Sequence, residues 1–399
     1  MRVLLWATTL QADILALALH LDQRPGCSLL IVTQHADAFR AEPIARARPI
    51  QAPIVDRADR GLRAMVDGFG ADVVVCDNHF PPFRAAPRVC HMWHGLGWKA
   101  RPRADIDVFF QHVARLTGQP PSVPNAAFRA QCYGEPDRMW RVERWGIDAS
   151  NCWVVGMCFT DLLLAPPYLK RDLASHYSLD VIKRPTVLLN LTWHHGRMFP
   201  GMWSRWTRRR DTEENTKSLD VVFDRVGQLG ANVLMCLHDA HRYDSRQLTA
   251  LQQIAARHPH VQLKHKDEHP DNLADLIVAD VMVSNLSSFI TYMYHLGRPT
   301  IHLCPAPQSH VTIAAKRWLG GVQPRSSRDD ADVWMTAPSD NGGLSAYTLD
   351  ELIAAIQHGL ESPSCCQAAA REWVARHIAH VDGSTGKRFG DALQAWIEV

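Results

Sequence analysis

The sequence contains no apolar run long enough to cross a bilayer. It also lacks the long polar or low-complexity tracts that would leave part of the chain unfolded. Its 43 basic and 41 acidic side chains leave a net charge of only +2. A dedicated nucleic-acid binder shows a clear basic excess, so nucleic acid is not an expected partner. The ten cysteines form no C-x-x-C pair, and many fall in strand-like runs, including Cys76, Cys90, Cys152, Cys236 and Cys304. That distribution suits reduced, buried thiols better than a disulfide frame or zinc site. No H-E-x-x-H pattern occurs either, so no metal ligand is expected among the site residues. The opening residues, MRVLLWATTLQAD, lack the basic start, long apolar stretch and cleavage site of a secretion signal. They read as a buried strand entering a helix, and the expected location is the cytoplasm.

At 399 residues and 46% apolar, the chain can fill more than one core. Short continuous apolar runs recur with helical stretches between them. In the first half they are Val3–Trp6, Leu29–Thr33, Val73–Cys76, Val89–Met92, Val108–Gln111 and Trp153–Gly156. In the second they are Thr186–Asn190, Val233–Leu237, Val261–Lys264, Val281–Ser284 and Thr300–Cys304. Runs of this kind mark parallel strands covered on both faces. Residues 10–21 place Leu10, Ile14, Leu17 and Leu21 on one helical stripe, a first crossover. The expected class is therefore α/β, with two Rossmann-like domains, a cleft between them and a helical C-terminus.

Pro166-Pro167-Tyr168, a charged helix over 169–178 and Lys183-Arg184-Pro185 mark the boundary. The first domain is taken as 1–170 and the second as 171–399, ending in three helices after residue 349. Asp271 is expected to cap the helix that begins in NLADLIV. Ligands of such sheets sit outside the carboxyl ends of the strands, so candidate residues are sought there.

Four strand ends stand out. Residues 280–299, DVMVSNLSSFITYMYHLGRP, run from a strand through Asn285, Ser287 and Ser288 into a short apolar helix. Free N–H groups and hydroxyls at such a turn favour an anion, phosphate above all, although two serines can equally cap a helix. In HMWHGLGWK, His94 is a base near neutrality, Gly95 permits close approach of a ligand, and Lys99 is a cation for phosphate. His238 emerges after the strand VLMCL, placed by the two-domain arrangement across the cleft from His94. In NLTWHHGRM, Thr192 and Trp193 suit a nucleotide base or ribose, while His194, His195 and Arg197 suit phosphate. The plainer reading of that segment is a loop whose tryptophan packs between domains. Beyond it, 198–210 (MFPGMWSRWTRRR) mixes aromatic and basic residues. That mixture suits either a peripheral contact with anionic headgroups or a lid over the cleft.

Together these motifs resemble the CDP-glycerol glycerophosphotransferase family of teichoic-acid and capsule polymer enzymes. Trp93-His94-Gly95 with Lys99 is similar to the family's Trp-His-Gly motif and following lysine. Cys236-Leu237-His238-Asp239 stands where the family has Arg-Pro-His-Pro, and Asn190-Leu191-Thr192-Trp193 echoes its Ala-Pro-Thr-Trp-like segment. Asn285-Leu286-Ser287-Ser288 with Gly297-Arg298-Pro299 resembles its Asp-Tyr-Ser-Ser turn, helix and Gly-Lys-Pro. The likeness spans about residues 70–305. Asn285 replaces the aspartate, Leu286 the tyrosine, and the proline after the second histidine is absent.

The resemblance implies a GT-B fold and transfer of an alditol phosphate from a CDP-linked donor to an acceptor hydroxyl. The acceptor would be a glycan, a polymer or a lipid-linked chain. It implies His94 as general base and His238 as donor-phosphate ligand or proton donor. The pyrophosphate would be held at Ser287 and Ser288. Such chemistry requires no cofactor, and a divalent cation at the phosphates is compatible with it. Two alternatives stand beside it: a nucleotide-sugar transferase or epimerase of the same fold, and a non-catalytic nucleotide-binding scaffold.

Overall fold

The computed structural model describes residues 1–93, 95–96, 103–191, 208–237, 245–285, 287–304 and 340–399, with 208–216 described by backbone alone. The first lobe holds strands β1 (Arg2–Trp6), β2 (Ser28–Thr33), β3 (Ile54–Asp56), β4 (Val73–Cys76), β5 (Arg88–His91), β6 (Phe128–Cys132) and β7 (Cys152–Val154). They form one parallel sheet in the order β3-β2-β1-β4-β5-β6-β7. The second lobe holds β8 (Thr186–Asn190), β9 (Asn232–Leu237), β10 (Val261–His265), β11 (Val281–Ser284), β12 (Thr300–Leu303) and β13 (Leu344–Ala346). These are parallel too, in the order β10-β9-β8-β11-β12-β13. In both sheets the strand order reverses beside the first strand of the lobe, between β1 and β4 and between β8 and β11. That reversal leaves a crevice at the strand carboxyl ends.

The crossovers include α1 (Ala12–Asp22), α2 (Ala36–Ala41), α3 (Pro43–Ala47), α4 (Leu62–Phe69), α5 (Arg103–Thr117), α6 (Glu135–Trp140) and α7 (Phe159–Leu164). In the second lobe they include α8 (Arg208–Gln228), α9 (Ser245–Ala255), α10 (Leu273–Val278) and α11 (Ile290–His295). Helices Leu349–Glu361, Gln367–His377 and Thr385–Glu398 complete the described chain. Period-two alternation divides each strand between two cores. Leu4 and Trp6 face the cluster under α4 and α5, while Val3 and Leu5 face the one around α1. Val187 and Leu189 likewise face α8 and α9, and Leu188 faces inward. The inward cluster is shared by both lobes, joining α1 and α7 to α10 and α11.

Several local expectations change in three dimensions. Val108–Gln111 is not a strand but the middle of α5. Ile106, Phe109, Val113 and Leu116 form its buried stripe while Val108 is half exposed, a 3.6-residue period that a four-residue run cannot reveal. The charged segment 169–178 contains a single 3-10 turn, Lys170–Leu173, rather than a helix. The cap of α10 is Asn272, although the Asp271 carboxylate does accept the Leu273 N–H at 2.8 Å. β3, β6 and β13 have no counterpart among the expected strands. β3 and β13 are three-residue edge strands, and β6 carries polar Arg129 and Gln131.

The last helix does not finish the second lobe. Phe389, Leu393 and Trp396 join the α1 core, and the Trp396 indole donates to the Ala126 carbonyl at 2.9 Å. This return explains why α1 is buried nearly all round rather than along one stripe. Between the lobes, residues 165–185 dock onto α10. The Tyr168 and Tyr177 hydroxyls donate to Asp271 and Asp275 at 2.9 and 2.8 Å. Asp275 also accepts from the buried Lys264 ammonium at 2.7 Å.

Candidate functional site

The first-lobe crevice is built from three neighbouring strand ends. β1 leads into Thr8, β4 into Asp77 and Asn78, and β5 into Trp93. The Thr8 N–H donates to both Asp77 carboxylate oxygens at 2.9 and 3.0 Å, and its hydroxyl donates to Asp77 Oδ1 at 2.6 Å. His79 Nδ1 lies 2.8 Å from the same hydroxyl. These contacts tie the β1 and β4 ends together across the strand-order reversal. Burial raises the Asp77 carboxyl above its usual range, against the lowering effect of its bonds to Thr8 and of Arg57 and Lys266. Here lies a small polar recess, lined by Thr8, Asp13, Asp77, Asn78 and Trp93 of the first lobe and by Lys266 of the second.

Asp13, in the first turn of α1, is fully buried at the base of this pocket. Its Oδ2 accepts from the Tyr292 hydroxyl at 2.8 Å and from the Tyr133 hydroxyl at 3.3 Å, and its Oδ1 from the Phe159 N–H at 3.1 Å. Burial outweighs these bonds and pushes its carboxyl up to about 6. Tyr292 belongs to α11 of the second lobe and Tyr133 follows β6 of the first, so one carboxylate is shared by both halves. The Tyr133 oxygen in turn accepts the Gly95 N–H at 2.7 Å. The network therefore reaches from the centre of the molecule to the Trp-His-Gly segment.

In the second lobe, the Ser284 hydroxyl donates to the Asn190 carbonyl at 2.7 Å and joins the ends of β11 and β8. Asn285 follows, buried, and Ser287 Oγ accepts the Phe289 N–H at 3.2 Å. The Ser288 carbonyl accepts from both N–H and hydroxyl of Thr291 at 3.1 and 2.8 Å. Gly95 meets this turn directly. Its φ is +126°, and a Cβ there would lie 2.6 Å from Ser288 Oγ and 2.8 Å from Ser288 Cβ. Only glycine satisfies both the backbone conformation and the contact.

Of the residues singled out from the sequence, the structure thus brings Gly95 and Ser288 together from opposite lobes and places Asn285 and Ser287 beside them. His94, Lys99, Thr192, Trp193, His194, His195, Arg197 and His238 lie outside the described residues. Asp13, Asp77, Tyr133 and Tyr292 were not found by sequence reasoning. A lone aspartate in the apolar helix ADILALALHL and an aspartate directly after VVVC were the available signals.

Two facing Rossmann-like lobes with a crevice between them define a GT-B-like fold. Among solved structures, the chain is similar to the wall teichoic acid polymerase TagF. A histidine-to-alanine variant of that protein matches at TM-score 0.67 and 11% identity, covering 100% of this chain and 89% of that one. A histidine-to-asparagine variant with CDPG soaked in matches at 0.66, with the same identity and coverage. The UDP-GlcNAc 2-epimerase of Neisseria meningitidis bound to UDP-GlcNAc matches at 0.55 and 13% identity, covering 99% of this chain and 100% of that one. No family model and no curated protein matches the chain.

Proposed function

We propose that this protein is a transferase that takes an alditol phosphate, of the glycerol- or ribitol-phosphate type, from a CDP-linked donor to an acceptor hydroxyl. The product would be a cell-surface polymer or glycan. The observation that carries the reading is the contact of Gly95 with Ser288, because it joins the two motifs on which the chemistry depends. Likeness of fold to TagF and to the epimerase supports a nucleotide-diphospho donor.

In this reading Ser287, Ser288 and the N–H groups of their turn hold the donor diphosphate, with Asn285 beside them. Lys99 and Arg197 offset its charge, and Thr192, Trp193 and His194 line the nucleotide. The acceptor approaches along the first-lobe strand ends, with its hydroxyl toward His94. The acceptor oxygen attacks the phosphorus bonded to the alditol. His94 takes the hydroxyl proton, the bond from that phosphorus to the CMP oxygen breaks, and CMP leaves with His238 against its phosphate. A base near neutrality helps because an alcohol is a weak nucleophile at pH 7. Fixed N–H groups, hydroxyls and cations stabilise the phosphoryl charge in the transition state. No cofactor enters this scheme, and a divalent cation at the phosphates would only reinforce it.

The test is a panel of CDP-, UDP- and GDP-linked donors followed by thermal melting and product analysis. A ligand of the native state raises its melting temperature. Stabilisation by CDP-alditols with phosphodiester formation is the expected result. Stabilisation by UDP-sugars, with a glycosidic bond or an epimerised sugar as product, would favour the second reading. That reading draws on Asn285, which replaces the family's aspartate. Tight donor binding without turnover over several acceptors would instead point to a scaffold.

Among the described residues no helix is long and apolar enough to span a membrane. Peripheral membrane contact is proposed for 198–210, beside the reading of that segment as a lid over the cleft; its described part is the backbone at the start of α8. The proposed setting is the cytoplasm, at the inner face of the membrane. Cosedimentation with anionic liposomes at low salt, abolished by charge reversal at 208–210, would support it. Absence of cosedimentation would retire it.

A further inference from the structure

Away from the pocket lining, three side chains converge where first lobe, connector and second lobe meet. Glu42 lies between α2 and α3, where Pro43 forces it out of helical geometry into an extended one (φ −74°, ψ 153°). That break turns its carboxylate inward until only 1% of the side chain is exposed. His176 comes from the connector and His269 from the turn after β10. Glu42 Oε1 lies 3.1 Å from His269 Nδ1, and Oε2 lies 3.6 Å from His176 Nε2. The two imidazoles stand edge to face with centroids 5.6 Å apart.

From this arrangement we infer that Glu42, His176 and His269 form a binding site for a divalent transition ion that clamps the two lobes through the connector. One ligand atom from each residue lies within 4.8 Å of the others, the one such group among the described residues. Around a tetrahedral zinc ion with bonds of about 2.0–2.2 Å, ligand atoms sit roughly 3.4 Å apart. The 3.1 and 3.6 Å separations lie on either side of that spacing but involve the two different carboxylate oxygens. An ion would therefore be held by both oxygens or draw one imidazole toward a shared one. Two imidazoles and a carboxylate are a donor set suited to zinc, with a fourth position left for water. His269, 43% exposed, provides the entry side.

A second observation points independently to a ligand. Glu42 Oε2 is buried and accepts no hydrogen bond among the described residues. A buried carboxylate oxygen without a donor is costly, and a cation bound there removes the deficit. The neighbouring buried cation does not supply it. Lys264 is spent on Asp275, at 2.7 and 2.8 Å, and on the Asp271 carbonyl at 2.7 Å. Each ligand belongs to a different part of the chain, so a bound ion would fix how the lobes sit across the cleft. The inference stands on these residues alone and does not depend on the identity of the donor.

The experiment uses full-length protein dialysed against chelator, titrated with Zn²⁺ and followed by thermal melting, with elemental analysis after desalting. The expected result is one retained equivalent of zinc and a melting temperature higher by several degrees. Co²⁺ in its place should give the visible absorption of a four-coordinate site. His269→Ala and Glu42→Gln should abolish the retained equivalent and the rise in melting temperature. Because His269 is partly exposed, its variant should melt near the metal-free wild type, which separates lost binding from lost folding. Failure of the wild type to retain zinc, or undiminished retention in both variants, would overturn the site.

Discussion

The two lobes repeat one sheet order but furnish their crevices with opposite chemistry. At the β1 and β4 ends stand the buried carboxylates Asp13 and Asp77, laced to tyrosine, threonine and histidine. At the β8 and β11 ends the described residues are an asparagine pair and serines, with no carboxylate. A buried carboxylate repels phosphate, whereas hydroxyls and N–H groups receive it without penalty. Under the proposed function the second crevice would receive the diphosphate and the first the acceptor hydroxyl. One sheet order thus carries different side chains at its strand ends in the two lobes.

That contrast can be broken at several points. The largest effect is expected from His94→Ala, which should lower turnover by about 10²–10⁴-fold while leaving donor binding and melting temperature intact. Near-normal turnover would remove the first lobe's assigned base. Asp13→Asn tests the shared carboxylate through pH. Its carboxyl is raised from 3.8 to about 6 in the fold, so the folded state holds the proton more tightly than the unfolded one. Its contribution to stability is complete below the ordinary carboxyl range and is lost as pH rises through about 6. Linkage makes that loss on the order of 3 kcal/mol. Asp271, also raised to about 6, acts in the same direction. Buried His295 and His302, lowered to about 4 and about 3, act in the opposite direction, so the readout is the difference. Denaturation across pH 4–7 should show a slope of stability against pH that is more positive for Asp13→Asn than for the wild type. An unchanged slope would mean that this carboxyl does not titrate there.

Gly95→Ala probes the seam between the half-sites. The strained backbone alone costs roughly 1–3 kcal/mol, and the added methyl would collide with Ser288. A drop in turnover of roughly 10–100-fold is expected, each tenfold step being about 1.4 kcal/mol. Wild-type kinetics would show that the two motifs need not touch. The smallest change should come from Ser288→Ala. It removes one hydroxyl worth about 0.5–1.5 kcal/mol and leaves the turn's N–H groups in place. Steady-state kinetics should show the donor KM rising by up to about tenfold with the acceptor KM unmoved. An effect confined to the acceptor would reverse the assignment of the half-sites.

The strands legible in the sequence were those whose own residues specify them. VLLW, VVVC and TVLLN are apolar on both faces because both faces are covered, and each was found within a residue of its place. The segment VFFQ misled because three apolar residues in a row fit either period. FRAQC was missed because Arg129 and Gln131 look unlike a core strand. In the fold, Arg129 bonds the Asn125 carbonyl, and Gln131 bonds the Gly156 carbonyl, each at 2.8 Å.

The serine turn and the Trp-His-Gly segment could be read locally, since their residue types announce strand-end chemistry. Asp13, Tyr133 and Tyr292 could not, because their meaning lies in contacts across 120 and 279 positions of chain. The sequence by itself therefore determined the layered architecture, since apolar periodicity is a local property that every strand and helix carries. Only tertiary structure decided that one buried aspartate serves both lobes, that Gly95 must be bare to admit Ser288, and that the last helix returns to the first sheet. Those outcomes depend on which distant surfaces exclude water together, a free energy that no single segment contains.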